Sequence, residues 1–597
     1  MTPASDHDAA TVNPTQCSET DPPVAHKWRS WLAPALVLMA GLIIYLPAVR
    51  ARFFLDDYLH ASILRGTFPV SRSPLDLYTF IGEGERATLL ERGMLPWWSD
   101  PQLKIRFFRP LSSALIWADH RLLGDDPLPL HLHSLLWWGA TVLAARWIFQ
   151  RVLTARPALY ATVIFALAPC HALPLAWLAN REAFISLTFG LLALAAMLRF
   201  HDQGEWREVG YALGFSSLSL LGGEYAFSVG GYILTLAIAA RGVALQRRLS
   251  ALLSFAGPAL VYLGVRAHLG YGTAGSGFYT DPFGAPLTFL RHAPRRAVTL
   301  LANGWLSLDG EALDQKTPAW MLAAIFVTGV AVLGLGVRRV FASLDAPRRM
   351  HARWLLAGSF LALVPVLAVQ PSPRLVGASM VGIAATVALV LDQAWHRAAH
   401  GSATTRGAEF VGLFAVGLGF FHLVHGPVTS WLSGRNYQRS SARFEASARA
   451  FAAGLANPSE AEVMVMRTSG SAFFMPFALQ PNFEPPKRWR ILAQTGHVLA
   501  LRRGPRALEL VVPEDQALFP EGLGNLYRSE ETTLGLSGTV SVPGMRVKVL
   551  KRGPQGPRVV RFETDVDLDE QAWGAERKRD FTQVTPPAPG FGKPFPP

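Results

Sequence analysis

Charge is what this chain has least of: 17% of its residues are charged, whereas 50% are hydrophobic. A soluble domain carries about 25% charged residues, so an ordinary soluble fold is excluded and a polytopic α-helical membrane protein is expected. Cysteine is nearly absent as well. Cys17 lies in a polar leader and Cys170 near the end of an apolar run, which leaves no disulfide framework and no indication of redox compartment. Acidic residues number 43 against 56 Lys and Arg, a formal net charge of +13. The basic excess does not gather on one face with interleaved aromatics, so nucleic acid is not an expected partner. It lies in short connections between apolar runs, the pattern that orients a membrane protein. No small-residue cleavage site follows the first apolar segment, Trp31 to Val49, before Arg50 and Arg52. That segment is long enough to span a bilayer, and an uncleaved first helix is expected.

Apolar runs of spanning length fall at 31–49, 130–149, 157–178, 182–198, 208–221, 224–240, 249–267, 319–337, 353–369, 375–395 and 409–430. They predict about eleven transmembrane helices. With the N-terminus in the cytoplasm, Lys27, Arg151, Arg199, Arg247, Arg339 and Arg397 all lie in inner connections, as the positive-inside rule requires. The same topology sends two long loops, 50–129 and 268–318, to the outer side, together with everything after about residue 434. In the first loop, Pro96-Trp97-Trp98 and Phe107-Phe108 predict helices lying in the membrane interface. From Glu462 the pattern changes to short runs such as Leu508-Glu509-Leu510-Val511-Val512 between Gly and Pro turns, which predicts a small β-rich domain. The expected organisation is a disordered cytoplasmic leader, 1–30, a transmembrane domain, 31–433, a β-rich extracytoplasmic domain, 434–584, and a Pro-rich disordered tail, 585–597. The setting is an inner or plasma membrane.

Chemistry is suggested first by Asp56-Asp57, set in Phe53-Phe54-Leu55-Asp56-Asp57-Tyr58 directly after the first span. Adjacent carboxylates at the mouth of a span are costly, and are a candidate catalytic site. The same outer face collects Arg109, Asn180-Arg181-Glu182, Glu224 and Arg374. Such a set suits attack by an acceptor hydroxyl on an activated, phosphate-bearing lipid donor. Arginine binds two phosphate oxygens at once and keeps its charge near a membrane. The acceptor hydroxyl needs a general base. A leaving phosphate needs charge stabilisation more than a proton. Each residue also has a plainer reading: a helix cap for Asp56-Asp57, a snorkelling anchor for Arg109, an internal ion pair for Arg181-Glu182, a turn at Glu224, and an outer-side Arg374 of no function. His131 with His133, and His422 with His425, lack an accompanying Cys or carboxylate cluster, so no metal is expected there. Asp56-Asp57 alone is a sparse shell for a divalent ion, which is not predicted. No cofactor is predicted. Gly270 to Gly277 lacks the Lys-Ser/Thr of a phosphate loop.

The order of a first span, then Phe54-Leu55-Asp56-Asp57, Phe108-Arg109-Pro110-Leu111, Leu123-Gly124 and His131-Leu132-His133 resembles the GT-C class of membrane glycosyltransferases. Within that class it is most similar to the protein O-mannosyltransferase-like branch, including the transmembrane and TPR-containing type. Trp177 with Arg181 and Glu182 matches a later loop of that branch. The resemblance covers roughly residues 30 to 400. It implies inverting transfer of a sugar from a polyprenyl-phosphate-linked donor in the outer leaflet. Asp56 or Asp57 would be the base or acceptor-binding carboxylate, and Arg109, Arg181 and Arg374 would be candidates for the donor phosphate, with Glu182 and Glu224 as supporting acids. Two motifs depart from the branch: Gly223 stands where a Lys would precede Glu224, and the late motif is reduced to Pro373-Arg374-Leu375. A β-rich domain replaces the TPR array.

The expected activity is therefore transfer of a hexose to a hydroxyl on a protein, lipid or glycan acceptor outside the cytoplasm, with membrane lipids as surroundings. The alternative is a transporter or flippase of a lipid-linked or anionic substrate. It predicts broken helices and charges within spans, whereas the charges here cluster at one mouth.

Overall fold

The computed structural model describes residues 25–308, 317–399, 406–521, 524–536, 538–578 and 580–596. Most of the expected leader, 1–30, lies outside the described residues, and the first helix already begins at Ala25. Every expected span falls on a helix. Among the described residues six helices are long and apolar enough to cross a membrane, or seven if the bent pair Ala155–Ala166 and Pro169–Ala176, broken by 43°, counts as one span. The other expected spans differ for local reasons. Trp206–Gly222 and Ala226–Ala239 are short, at 17 and 14 residues. Pro127–Val152 carries Arg146, Arg151 and two histidines. In Met380–Ala399 the first eleven residues are all buried and the polar end begins at Asp392. The buried half of Met380–Ala399 sits among other helices rather than against lipid. Trp320–Ala342 is the opposite case, with only 17% of its window buried.

The loop expected at 268–318 contains a helix, Pro286–Leu306, with Pro at its first turn. Its buried residues His292, Arg296, Thr299, Leu300 and Asn303 recur at helical spacing, and the polarity of all but Leu300 hid the amphipathic pattern from a hydropathy reading. The boundary expected at 433 also moves. A helix, Gly426–Ala453, runs straight through it, joined to Arg406–Phe420 by a π-helical turn at Phe421–His425. The 45 residues from Glu409 to Ala453 would reach about 65 Å at 1.5 Å per residue, twice a bilayer core. The excess carries the C-terminal domain.

That domain holds two sheets. In the four-stranded one, Glu462–Val465 pairs parallel with both Arg488–Ile491 and Ala572–Arg577, and Asp580–Gln583 closes the edge. In the six-stranded antiparallel sheet, Met545–Gly553 alternates buried Met545, Val547 and Val549 with exposed Arg546 and Lys548, the period of a strand with one face covered. The segment expected to be a disordered Pro-rich tail supplies the outermost strand here. Gly592–Phe595 pairs antiparallel with Val498–Leu501, Phe595 is buried, and Pro594 is tolerated because an edge strand leaves one side unpaired.

Two hydrophobic cores result, one among the long apolar helices and one shared by the first long loop, 50–129, and the C-terminal domain. Trp97 and Trp98 belong to the second and are 3% and 0% exposed, which corrects their expected place in the membrane interface. Trp98 stacks on Phe519 at 4.8 Å, and Trp97 Nε1 donates to the Leu492 carbonyl at 3.0 Å. An apolar environment was read correctly from these indoles, but a protein core supplies it, not lipid. Gly93, at φ 74, lets the loop touch the domain: a Cβ there would meet the Trp489 carbonyl oxygen at 2.0 Å. A small antiparallel sheet of Thr79–Ile81, Lys104–Arg106 and Gly272–Ala274 fastens the two long loops, 50–129 and 268–318, to each other.

Candidate active site

After the first span the chain turns at Leu55, which adopts φ 48 and ψ −115. A residue with a Cβ rarely enters this region, at a cost of about 1–3 kcal/mol. The turn is closed by the Asp57 N–H, which donates to the Phe54 carbonyl at 3.1 Å, and by Asp57 Oδ2, which accepts from the Phe54 N–H at 2.9 Å. As a result the neighbouring carboxylates diverge. Asp57 is 2% exposed and accepts from the Leu178 and Ala179 N–H groups at 3.3 and 2.8 Å, so it pins the 177–181 loop to the start of helix Asp56–Arg65. Asp56 faces a cavity of about 510 Å³. Burial pushes both carboxyls up to about 7. Arg374 and Arg109 oppose the rise at Asp56; at Asp57 the three backbone donors oppose it and the Asp56 charge adds to it.

Three parts of the chain wall the cavity. Leu59, Phe80 and Met94 come from the first long loop, Phe278 and Tyr279 from the second, and Phe473, Phe474, Phe477 and Tyr527 from the C-terminal domain. Trp177 and Arg374 complete it. Arg374 also lines a second cavity of about 200 Å³, whose walls carry the hydroxyls of Ser307, Ser372, Thr429, Ser433 and Tyr437. Its guanidinium lies over the Trp177 ring at 5.4 Å, and Nη1 donates to the Tyr225 hydroxyl at 3.2 Å. No carboxylate among the described residues lies within ion-pair distance of it.

The other two arginines are engaged differently. Arg109 Nε donates to Glu224 at 2.6 Å and Nη1 lies 3.3 Å from Glu182, while its guanidinium covers the rings of Phe107 and Tyr78 at 4.5 and 4.9 Å. Glu182 also accepts from Asn180 at 3.1 Å. A Cβ at Gly223 would meet Glu182 Oε2 at 2.8 Å and Arg109 Nε at 3.6 Å, so glycine is required by close approach. Arg109 supplies the cation beside Glu224 where the resemblance expects a Lys. Arg181 is 1% exposed and points away from the cavity. It donates to Ser134 Oγ at 2.8 Å and the Leu130 carbonyl at 2.7 Å, and it pairs with Asp119. His133 bonds Asp119 at 2.7 Å, and His131 bonds the Leu175 carbonyl at 2.8 Å.

The structure thus brings Asp56 and Arg374 to one cavity, sets Arg109, Glu182 and Glu224 beside it as a bonded group, and turns Asp57 and Arg181 inward. Among the described residues no group of three or more His, Cys, Asp or Glu side chains is placed to hold a metal ion. The sequence reading did not find Tyr225, Tyr279, Tyr527 or the Phe473, Phe474 and Phe477 wall. The only trace of that wall is an aromatic cluster after Gly470, which core packing explains equally well.

No family model and no curated protein matches the chain. Among solved structures it is similar to the oligosaccharyltransferase AglB from Archaeoglobus fulgidus in complex with an inhibitory peptide and a dolichol-phosphate. Identity is 13% and the TM-score 0.42, over 78% of this chain and 65% of that one. It is also similar to ArnT from Cupriavidus metallidurans bound to undecaprenyl phosphate, at 14% identity and TM-score 0.43, over 91% and 99% of the two chains. The arabinosyltransferase EmbB from Mycobacterium smegmatis gives 13% identity and TM-score 0.32 over 84% and 47%. The chain therefore spans 65% of the length of the archaeal oligosaccharyltransferase chain. Likeness this slight carries no argument about chemistry, which rests on the site itself.

Proposed function

We propose that the chain is a GT-C-type membrane glycosyltransferase that moves a hexose from a polyprenyl-phosphate donor to an acceptor hydroxyl on the extracytoplasmic face. One observation carries this reading: Asp56 and Arg374 open on the same cavity, and Arg374 has no carboxylate partner among the described residues. Asp56 takes the proton of the acceptor hydroxyl as its oxygen bonds to the anomeric carbon. The bond from that carbon to the phosphate oxygen breaks, and the electron pair leaves with the lipid phosphate. Arg374, joined by the hydroxyls of the second cavity, holds that anion. A single displacement by one base inverts the anomeric centre. Asp57 positions Asp56, and Arg109 between Glu182 and Glu224 keeps the neighbouring wall charged and fixed.

The ionised site would carry more carboxylates than guanidiniums, an unfavourable seat for a phosphate. Carboxyls that titrate near 7 relieve this, because Asp56 is protonated once it has done its work as base. The test is transfer from a polyprenyl-phosphate hexose by the purified full chain in nanodiscs, with the anomeric configuration of the product read by NMR. Inverted product is expected, and Arg374→Lys, which keeps the charge but loses the two-pronged grip, is expected to lower turnover by about tenfold. Retained configuration, or full turnover in Arg374→Lys, would overturn the assignment.

A further inference from the structure

The cavity beside Asp56 and the one behind Arg374 differ in chemistry. Apart from Leu173 in the bent pair, every wall residue of the larger cavity lies outside the helices of membrane-crossing length. The smaller one is walled partly by Thr429, Ser433 and Tyr437 of the Glu409–Ala453 helix. With the phosphate held at Arg374 by the hydroxyls of the smaller cavity, the larger cavity is the space left for the acceptor. Its lining is aromatic and aliphatic on three sides, and apart from Asp56 and Arg374 its polar side chains are Gln370, Ser372, Gln494, the two tyrosines and Trp177, whose indole N–H has no partner among the described residues. A peptide backbone or a polyhydroxylated glycan buried there would leave many polar groups unpaired, each at a cost comparable to a lost hydrogen bond or more. An apolar body with one hydroxyl would not.

From this we propose, resting on the transferase reading above, that the acceptor is a lipid-like alcohol whose apolar body fills the larger cavity, with the C-terminal domain as its selecting wall. The domain is locked in place for that role. The Gly277 N–H donates to the Asn525 carbonyl at 2.8 Å, the Asp100 N–H donates to the Tyr527 carbonyl at 2.8 Å, and Arg528 donates to the Trp98 and Ser99 carbonyls. The segment 524–528 thus clasps both long loops and holds Tyr527 over the cavity, its ring 4.5 Å from that of Phe473. The cavity volume, about 510 Å³, is that of a small-molecule site.

The experiment uses the full chain in nanodiscs with two readouts. First, a long-chain alcohol carrying a diazirine is photo-crosslinked and the labelled peptides are mapped. Saturable labelling of 470–477 and 524–527 is expected, falling about tenfold in Phe474→Glu and in Met94→Glu on the facing wall. Two variants on separate walls keep the result readable should one misfold. Second, hexose transfer to that alcohol is compared with transfer to a Ser/Thr peptide and to a free oligosaccharide, and a preference for the alcohol of about tenfold is expected. Labelling confined to the membrane helices, or preference for peptide or oligosaccharide with hexose still transferred, overturns the acceptor class and leaves the transferase reading standing. Saturable cavity labelling without transfer to any of the three supports the apolar site and overturns the transferase reading.

Discussion

Two polar regions lie side by side at the ends of the helices that face the C-terminal domain, and they use their charges in opposite ways. On one side Asp57, Arg181, Glu182 and Arg109 are bonded to one another's loops: Asp57 to three backbone N–H groups, Arg181 to Ser134, Leu130 and Asp119, and Arg109 to two glutamates. On the other side Asp56 and Arg374 face a cavity, and Arg374 has Tyr225 as its one hydrogen-bonded partner among the described residues. Charges of identical type, adjacent in sequence in the case of Asp56 and Asp57, are structural in one region and open to a ligand in the other. What separates them is access to the cavity, since both carboxyls are pushed up to about 7.

The sharpest way to break this contrast is to neutralise each aspartate separately. Asp56→Asn should lower hexose transfer by about 10²–10⁴-fold, the usual contribution of a general base, with the melting temperature unchanged at low pH and held or raised above about pH 7, where the amide is spared the cost of a buried charge. Asp57→Asn keeps an acceptor oxygen for the 177–181 loop, so it should lower melting temperature and transfer together and less severely. Equal loss of transfer in both, at unchanged stability, would erase the distinction. The next effect belongs to the bonded side. Arg181→Met leaves Asp119 buried without its cation, which should cost about 3–5 kcal/mol of stability. Thermal unfolding in nanodiscs reads this directly; a variant as stable as the parent but unable to transfer would move Arg181 into the reacting region.

pH sharpens the contrast at a smaller scale. With the Asp56 carboxyl at about 7, the base form falls about tenfold for each pH unit below that value, and transfer should fall with it. Stability runs the other way. A folded-state value raised above the ordinary carboxylate range means the folded protein binds protons more readily than the unfolded chain. The pair therefore contributes stability that is fully present below that ordinary range and is lost as pH rises through about 7. Melting temperature and transfer measured from pH 5 to 8 should move in opposite directions; parallel curves would assign the transfer profile to unfolding instead.

The sequence made the cluster at one end of the helices legible because charges flanking apolar runs stand out whatever the fold. It could not sort them. Arg181 and Arg374 look alike in sequence, and their difference rests on Asp119, Ser134 and Tyr225, contacts made across 62, 47 and 149 residues. Trp97-Trp98 reads as an interfacial pair because composition records only that indole wants an apolar place, and the core that receives it lies some 400 positions later, at Leu492. Helix Pro286–Leu306 was hidden by the polar residues it buries, and the strand Gly592–Phe595 by Pro594 and the prolines on either side. The turn at Leu55 has no sequence signature at all, since leucine is among the residues least suited to φ 48. It is also what divides Asp56 from Asp57.

The smallest effect probes the border between the two regions. Gly223→Ala places a methyl group 2.8 Å from Glu182 Oε2, and that oxygen has no bonded partner among the described residues. The carboxylate end of a flexible side chain can yield by a few tenths of an ångström, but φ 158 and ψ 174 at this position are nearly confined to glycine, so the expected cost is about 1–3 kcal/mol. Glu182 Oε1, however, is held by Asn180 and lies 3.3 Å from Arg109, and any shift is passed to the guanidinium whose field reaches Asp56. Transfer should therefore fall only a few-fold, about twofold to fivefold at neutral pH, with the pH midpoint displaced upward, because a less effective Arg109 stabilises the Asp56 carboxylate less. A midpoint that stays fixed would mean the bonded group does not act on the base. A loss as deep as that of Asp56→Asn would mean that Glu182 takes part in the reaction and that the division between the two regions is drawn in the wrong place.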